Sequence, residues 1–105
     1  MGLDQYFFTK KDYDSEEILH FSKYYTLDTF IRELTGLKEN GGLVRLHKFD
    51  IERIIGFIIK DADKNYIFEN YISESSRYND KFFKIIGVLC YYKNSKETLY
   101  YGSDF

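Results

Sequence analysis

From Asp50 onward the chain carries Ile51, Ile54, Ile55, Ile58 and Ile59, an apolar stripe recurring at helical spacing. Isoleucine is branched at Cβ and is only a modest helix former, so such a run becomes a helix where burying the stripe outweighs propensity. The pattern predicts a buried helix over about residues 51–61, with Asp50 as its cap, and that helix needs an apolar surface to lie on. A second stripe, Phe82, Ile85, Ile86 and Leu89, is capped by Asn79 and ended by Asn94-Ser95-Lys96. A third starts at Thr26 as N-cap, runs through Leu27, Phe30, Ile31 and Leu34, and stops at Gly36.

The surface for these helices comes from strand-favouring segments. Gly2 to Phe8 reads as a first strand with Leu3 and Phe7 on one face, and Lys10 to Ser15 as a charged turn. Glu17 to Phe21 is a strand or the lead-in to a helix, with strand preferred. After the break at Asn40-Gly41-Gly42, Leu43 to Lys48 reads as a strand. Asp61 to Asn65 reads as a polar turn, Tyr66 to Ile72 as a strand, and Ser73 to Tyr78 as a loop or the first turn of a longer helix. Thr98 to Tyr101 is a final strand. The expected fold is α+β: a mainly antiparallel sheet of four to five strands packed on about three helices. With 105 residues there is room for one core, so residues 1–105 are read as a single domain.

Arg53-Ile54-Ile55-Gly56-Phe57-Ile58 resembles Lys84-Ile85-Ile86-Gly87-Val88-Leu89, each read as a helix followed by a polar turn and an aromatic strand. A glycine inside a helix costs about 1 kcal/mol relative to alanine, so Gly56 and Gly87 suggest close approach of helix backbones. Cys90 is the one cysteine, which excludes an intramolecular disulfide and a thiolate cluster; in its apolar run it reads as a small buried hydrophobe.

Charge and motifs narrow the function classes. Fifteen basic against 17 acidic residues give a net charge of -2, so any nucleic-acid role needs a local patch and direct nucleic-acid binding is the weaker reading. No run nears the roughly 18 apolar residues that span a bilayer, and the opening lacks an export signal, so a cytoplasmic protein without membrane contact is expected. There is no GxGxxG, no GxxxxGK[ST], no HExxH, no GxSxG and no Cys/His metal spacing. Asp61-Ala62-Asp63-Lys64-Asn65 opens like a calcium loop but lacks its glycine and its closing glutamate, so no cofactor or metal is expected. His20 and His47 both fall in expected strands; if those strands pair, the imidazoles meet.

The tyrosine doublets are the candidate binding feature. Nearly half the chain is Ile, Lys, Asn, Tyr or Phe, the bias of a gene poor in G and C, and this alone supplies tyrosine where another chain has leucine. Adjacent residues of a strand point to opposite faces, however, so one ring of each doublet can enter the core while its neighbour stays outside. Tyrosine is enriched at binding hot spots because it brings large contact area at small entropic cost. Tyr24, Tyr25, Tyr100 and Tyr101, with His20 and His47, are therefore the candidate binding residues.

The opening Met1-Gly2-Leu3-Asp4-Gln5-Tyr6-Phe7 resembles the start of a family of small bacteriophage and prophage proteins that begin Met-Gly-Leu-Asp-Met-Tyr-Leu. Those proteins continue with a Tyr-Trp-Arg-Lys segment; here Leu19-His20-Phe21-Ser22-Lys23 stands in its place, without the tryptophan and arginine. The resemblance implies a phage-derived gene product acting in a bacterial cytoplasm and supplies no catalytic residues. The expected function is stoichiometric inhibition, of the anti-CRISPR kind, of a host protein or ribonucleoprotein such as a defence nuclease or CRISPR effector. The competing readings are a small enzyme acting on a nucleotide or phosphoester through His20 or His47, and a homo-oligomeric module that self-associates through its aromatics.

Overall fold

The computed structural model describes residues 2–11, 14–69 and 75–105. In chain order the elements are β1 (Asp4–Lys11), β2 (Asp14–Ser22), α1 (Tyr25–Thr35), β3 (Leu43–Leu46), α2 (Lys48–Glu69), α3 (Ser75–Lys93) and β4 (Leu99–Asp104). The strands form one antiparallel sheet in the order β2-β1-β4-β3, so the first and last strands of the chain are its centre. This is the expected α+β class, with four strands.

Period-two alternation along β1 sets the two faces. Leu3, Gln5, Phe7 and Thr9 are buried beneath the helices, whereas Asp4, Tyr6, Phe8 and Lys10 point the other way and are half-buried or exposed. Phe7, Phe21, Leu46, Leu99 and Tyr101 join Leu27 and Ile31 of α1, Ile51, Ile54 and Ile58 of α2, and Ile85 and Leu89 of α3 in one core. The ambiguous Glu17–Phe21 segment is strand. A bulge opposite Phe7 and Phe8 inserts Ile18, so Ile18 and Leu19 are both half-buried and the simple alternation is lost.

The isoleucine stripe forms α2, but the helix starts and ends elsewhere than its pattern predicts. Asp50 lies within the first turn, and its Oδ2 accepts the backbone N–H of His47 at 3.0 Å, so His47 holds the cap position and β3 stops at Leu46. The helix also continues through the expected turn at 61–65 and into the expected strand over Tyr66–Ile72, ending at Glu69. No glycine or proline interrupts that stretch, and extending an existing helix gains one hydrogen bond per residue, whereas a strand needs a partner edge. Residues 70–72 of the expected strand lie outside the described residues. The stretch 61–65, which opens like a calcium loop in the sequence, is thus part of α2.

The other helices show smaller shifts. The first residue of α1 is Tyr25 and its cap is Tyr24, whose side chain makes no capping bond, so Thr26 is inside the helix. Gly36 ends α1 in the left-handed conformation at φ 77° and gives its N–H to the carbonyl of Arg32, as expected. α3 begins at Ser75, placing Asn79 in its interior, and ends at Lys93 next to the expected stop.

The similar segments on α2 and α3 have matching burial at every position: Ile54 and Ile58, like Ile85 and Leu89, are fully buried, and Gly56 and Gly87 are exposed. Neither glycine is a point of close approach, since a Cβ at either would find open space. Close approach occurs at Gly102 of β4, where a Cβ would stand 2.7 Å from Leu43 Cδ2 and 2.9 Å from the Gly42 carbonyl oxygen. Cys90, expected in the core, is exposed, because it follows the buried Leu89 by one position on the helix.

Candidate functional site

Cross-strand register places the outward side chains of the sheet in rungs. His20 of β2 stands opposite Tyr6 of β1, Tyr6 opposite Gly102 of β4, and Gly102 opposite Leu43 of β3. One rung along, Phe8 faces Glu17 on one side and Tyr100 on the other, and Tyr100 faces Arg45. On the other side of the Tyr6 rung, Asp4 and Asp104 are direct cross-strand neighbours. Tyr6, Phe8 and Tyr100 thus occupy the two central strands, on the face that none of the helices covers among the described residues.

The rings on this face are ordered by one another. The His20 imidazole stacks on Tyr6 with centroids 4.7 Å apart and planes 12° from parallel, while its Nε2 lies 3.0 Å from Asp4 Oδ1. Tyr6 and Phe8 are 5.8 Å apart, and the Lys10 ammonium sits 4.7 Å over the Tyr100 ring. Because Gly102 has no side chain, a hollow of about 260 Å³ opens beside Tyr6, Phe8, Leu43 and Asp104. The Tyr6 phenol is held above its ordinary pKa by desolvation against its neighbours, then by the negative charges of Asp4, Asp104 and Glu17. The face is therefore aromatic, flanked by carboxylates at its Tyr6 end and by Lys10 and Arg45 at its Tyr100 end.

The six candidate residues are divided by the fold. Tyr100 and His20 are on this face together. Tyr101 is fully buried on the opposite side of β4, where it gives its hydroxyl to Asp28 Oδ1 at 2.6 Å and accepts from Gln5 Nε2 at 3.0 Å. Tyr24 is buried and donates its hydroxyl to Asp61 Oδ2 at 2.7 Å, with its ring edge-on to Phe82. Tyr25, 56% exposed, lies apart from the sheet face, at the groove where Phe30 of α1 stacks on Phe57 of α2. His47 caps α2 beyond β3, at the opposite edge of the sheet from His20, so roughly 14 Å of sheet separates the two and they do not meet.

One ring in and one ring out describes all three doublets: Tyr24 and Tyr25, Tyr92 and Tyr91, and Tyr101 and Tyr100, the last half-buried. Only the last pair is on a strand. Tyr6 and Phe8 are the site residues that the doublets do not reveal; their signal is the β1 alternation, since Leu3 and Phe7 facing the core sends Tyr6 and Phe8 to the other side. Among the described residues no three His, Cys, Asp or Glu side chains gather to hold a metal ion, and no helix is long and apolar enough to cross a membrane. Comparisons with protein-family models, curated proteins and solved structures find no match.

Proposed function

We propose that the chain is a stoichiometric binding protein that docks a macromolecular partner on the open face of its sheet. One observation carries this: Tyr6, Phe8, Tyr100 and His20 form an ordered, uncovered aromatic surface on a four-stranded sheet whose other face is packed with helices. A soluble partner surface supplies what this face lacks, a cover for its rings. Asp4, Asp104 and Glu17 surround Tyr6, so at that end of the face the favoured partner groups are cationic, and arginine side chains can stack on Tyr6 and His20 while pairing with the carboxylates. The same charges repel phosphates, which favours a protein surface over a bare nucleic-acid strand.

A basic protein surface is what a nucleic-acid-processing enzyme presents to its substrate. Together with the phage-like opening, this supports inhibition of a host defence nuclease or CRISPR effector by blocking that surface in the bacterial cytoplasm. The test is titration of such a nuclease with the protein and with a Tyr6→Ala/Phe8→Ala/Tyr100→Ala variant. Inhibition saturating at one protein per nuclease and lost in the variant supports the reading. Undiminished inhibition by the variant removes the open face from it.

The contact of His20 Nε2 with Asp4 favours a second reading, proton transfer in an enzyme acting on a nucleotide or phosphoester. It predicts that adding a nucleotide moves the NMR signals of His20. Unmoved signals at both His20 and His47 end that reading.

A further inference from the structure

Tyr25 is the candidate residue that the open face leaves unused, and its surroundings are of one chemical kind. It lines a groove of about 400 Å³ between α1 and α2, together with Phe30, Phe57, Glu33, Asp61 and two threonines. Phe30 of α1 and Phe57 of α2 stack on each other with centroids 4.5 Å apart and planes 17° from parallel. The Tyr24-Tyr25 doublet serves this groove twice. Tyr24, buried, gives its hydroxyl to Asp61 Oδ2 at 2.7 Å and so fixes that carboxylate, while the Tyr25 ring stands exposed at the groove itself. Among the described residues no donor takes Asp61 Oδ1, and Glu33 is exposed and in no ion pair. Both charged groups lining the groove are thus carboxylates; Lys60, next to Asp61 in sequence, is not part of its wall.

We propose that the α1–α2 groove is a docking site for an arginine side chain of another protein. Two independent features select a cation. Three aromatic rings attract positive charge through their π faces, and two carboxylates do so through their own charge. The mixture then selects the kind of cation. A guanidinium is flat, stacks on rings, is weakly hydrated and carries five N–H donors in a fork that suits carboxylates. The groove offers what that fork needs, with Glu33 on α1 and the second oxygen of Asp61 on α2 as acceptors beside the rings. A lysine ammonium finds the same charges but has no flat face to lay on the rings and gives up a tighter hydration shell. Phosphates are repelled, so the arginine belongs to a protein that approaches with its backbone outside the groove. This site is on the helix side of the molecule and is independent of the open face.

The experiment titrates the labelled protein, at constant ionic strength, with N-acetyl-arginine amide, its lysine counterpart and its uncharged citrulline counterpart, and follows amide signals. The arginine compound should shift Tyr25, Phe30, Glu33 and Phe57 along saturating curves, the lysine compound should bind about threefold more weakly, and the citrulline compound should leave these signals unmoved. Tyr25→Ala and Glu33→Gln replace exposed side chains on α1 with good helix formers, so both should keep the fold. Each should lose about threefold in arginine affinity, and the double variant about tenfold. Arginine also reaches the open face, so the shifts of Tyr6 and His20 are read separately: Tyr6→Ala should abolish those and leave the groove response intact. Three results overturn the proposal: no saturating response at the groove, an equal response to citrulline, or undiminished affinity in the folded double variant. None of these bears on the open face, whose failure would show at Tyr6 and His20 alone.

Discussion

β4 carries adjacent tyrosines into two different environments. On the helix side, Tyr101 is one member of a closed polar circuit: it donates to Asp28 Oδ1, Ser103 Oγ donates to the same oxygen at 2.6 Å, and Arg32 Nη2 donates to Ser103 Oγ at 2.7 Å. Arg32 Nε also pairs with Asp28 Oδ2 at 3.1 Å, and Gln5 ties the Tyr101 hydroxyl to the backbone of Tyr24. Among the described residues no buried side-chain polar atom is left without a partner. On the other side, Tyr6 stacks on His20 beside Phe8, and Tyr100 lies under the Lys10 ammonium and opposite Arg45. The contrast separates two uses of one residue type: the inner tyrosine joins β4 to β1 and α1, and the outer ones remain free to meet something else.

The largest effect comes from breaking the inner circuit at its hub. Asp28→Ala removes the acceptor of two hydroxyls and leaves the Arg32 guanidinium without its ion pair at a site where both side chains are largely buried. Loss of one partner from such a pair costs about 3–5 kcal/mol, so urea unfolding should show a drop of that size. A drop below about 1 kcal/mol means the circuit does not hold the sheet to α1.

Gly102→Ala strikes the boundary between the two regions. Its Cβ would collide with the Gly42 carbonyl and Leu43, and because one of these is backbone, β3 has to move. A loss of about 1–3 kcal/mol is expected, along with a smaller hollow on the open face. A neutral substitution shows that β3 is free to shift.

Tyr101→Phe is milder, about 1–2 kcal/mol at neutral pH, because Asp28 keeps Ser103 and Arg32. Its pH dependence is the more informative measurement. Burial, and then the hydrogen bond to Asp28, hold the Tyr101 phenol well above the ordinary value of 10.0, so the folded state keeps a proton that the unfolded chain gives up. That contribution is complete below pH 10 and declines as pH rises beyond it. The stability gap between wild type and Tyr101→Phe, followed by urea unfolding, should therefore narrow above pH 10; a gap that stays constant contradicts the assignment.

How much of this is legible in the sequence follows from where the signal is local. Helical periodicity identifies α1, α2 and α3 because each stripe depends only on its own residues and a core to face. The α2 end is missed because Tyr66-Ile67-Phe68 favours strand locally while the nearest helix simply continues. The cap is displaced to His47 because Asp50 performs the reciprocal role from within the first turn. Gly56 and Gly87 mislead because glycine signals close approach only where something approaches, and Gly102 gives no hint because its neighbour, Leu43, is distant in sequence. His20 and Tyr100 are recognisable as candidates, yet their meeting with Tyr6 and Phe8 depends on the pairing of β1 with both β2 and β4, which no local pattern contains.

The smallest stability effect is expected where the binding effect is largest. Tyr6→Ala and Tyr100→Ala remove cross-strand contacts from a face that the core does not use, so each should cost no more than about 1 kcal/mol in urea unfolding. Neither ring donates its hydroxyl to the Asp28 circuit, so the chemical shifts of Ser103 and Gln5 should hardly change. Affinity for a basic protein partner should instead fall about tenfold or more per substitution, because a ring at the centre of an interface carries far more than its share of the contact. If the two variants unfold like Tyr101→Phe and bind like wild type, the outer tyrosines are structural and the division between the two sides of β4 fails. If they stay folded and lose the partner, adjacent residues of one strand divide stability from recognition between them.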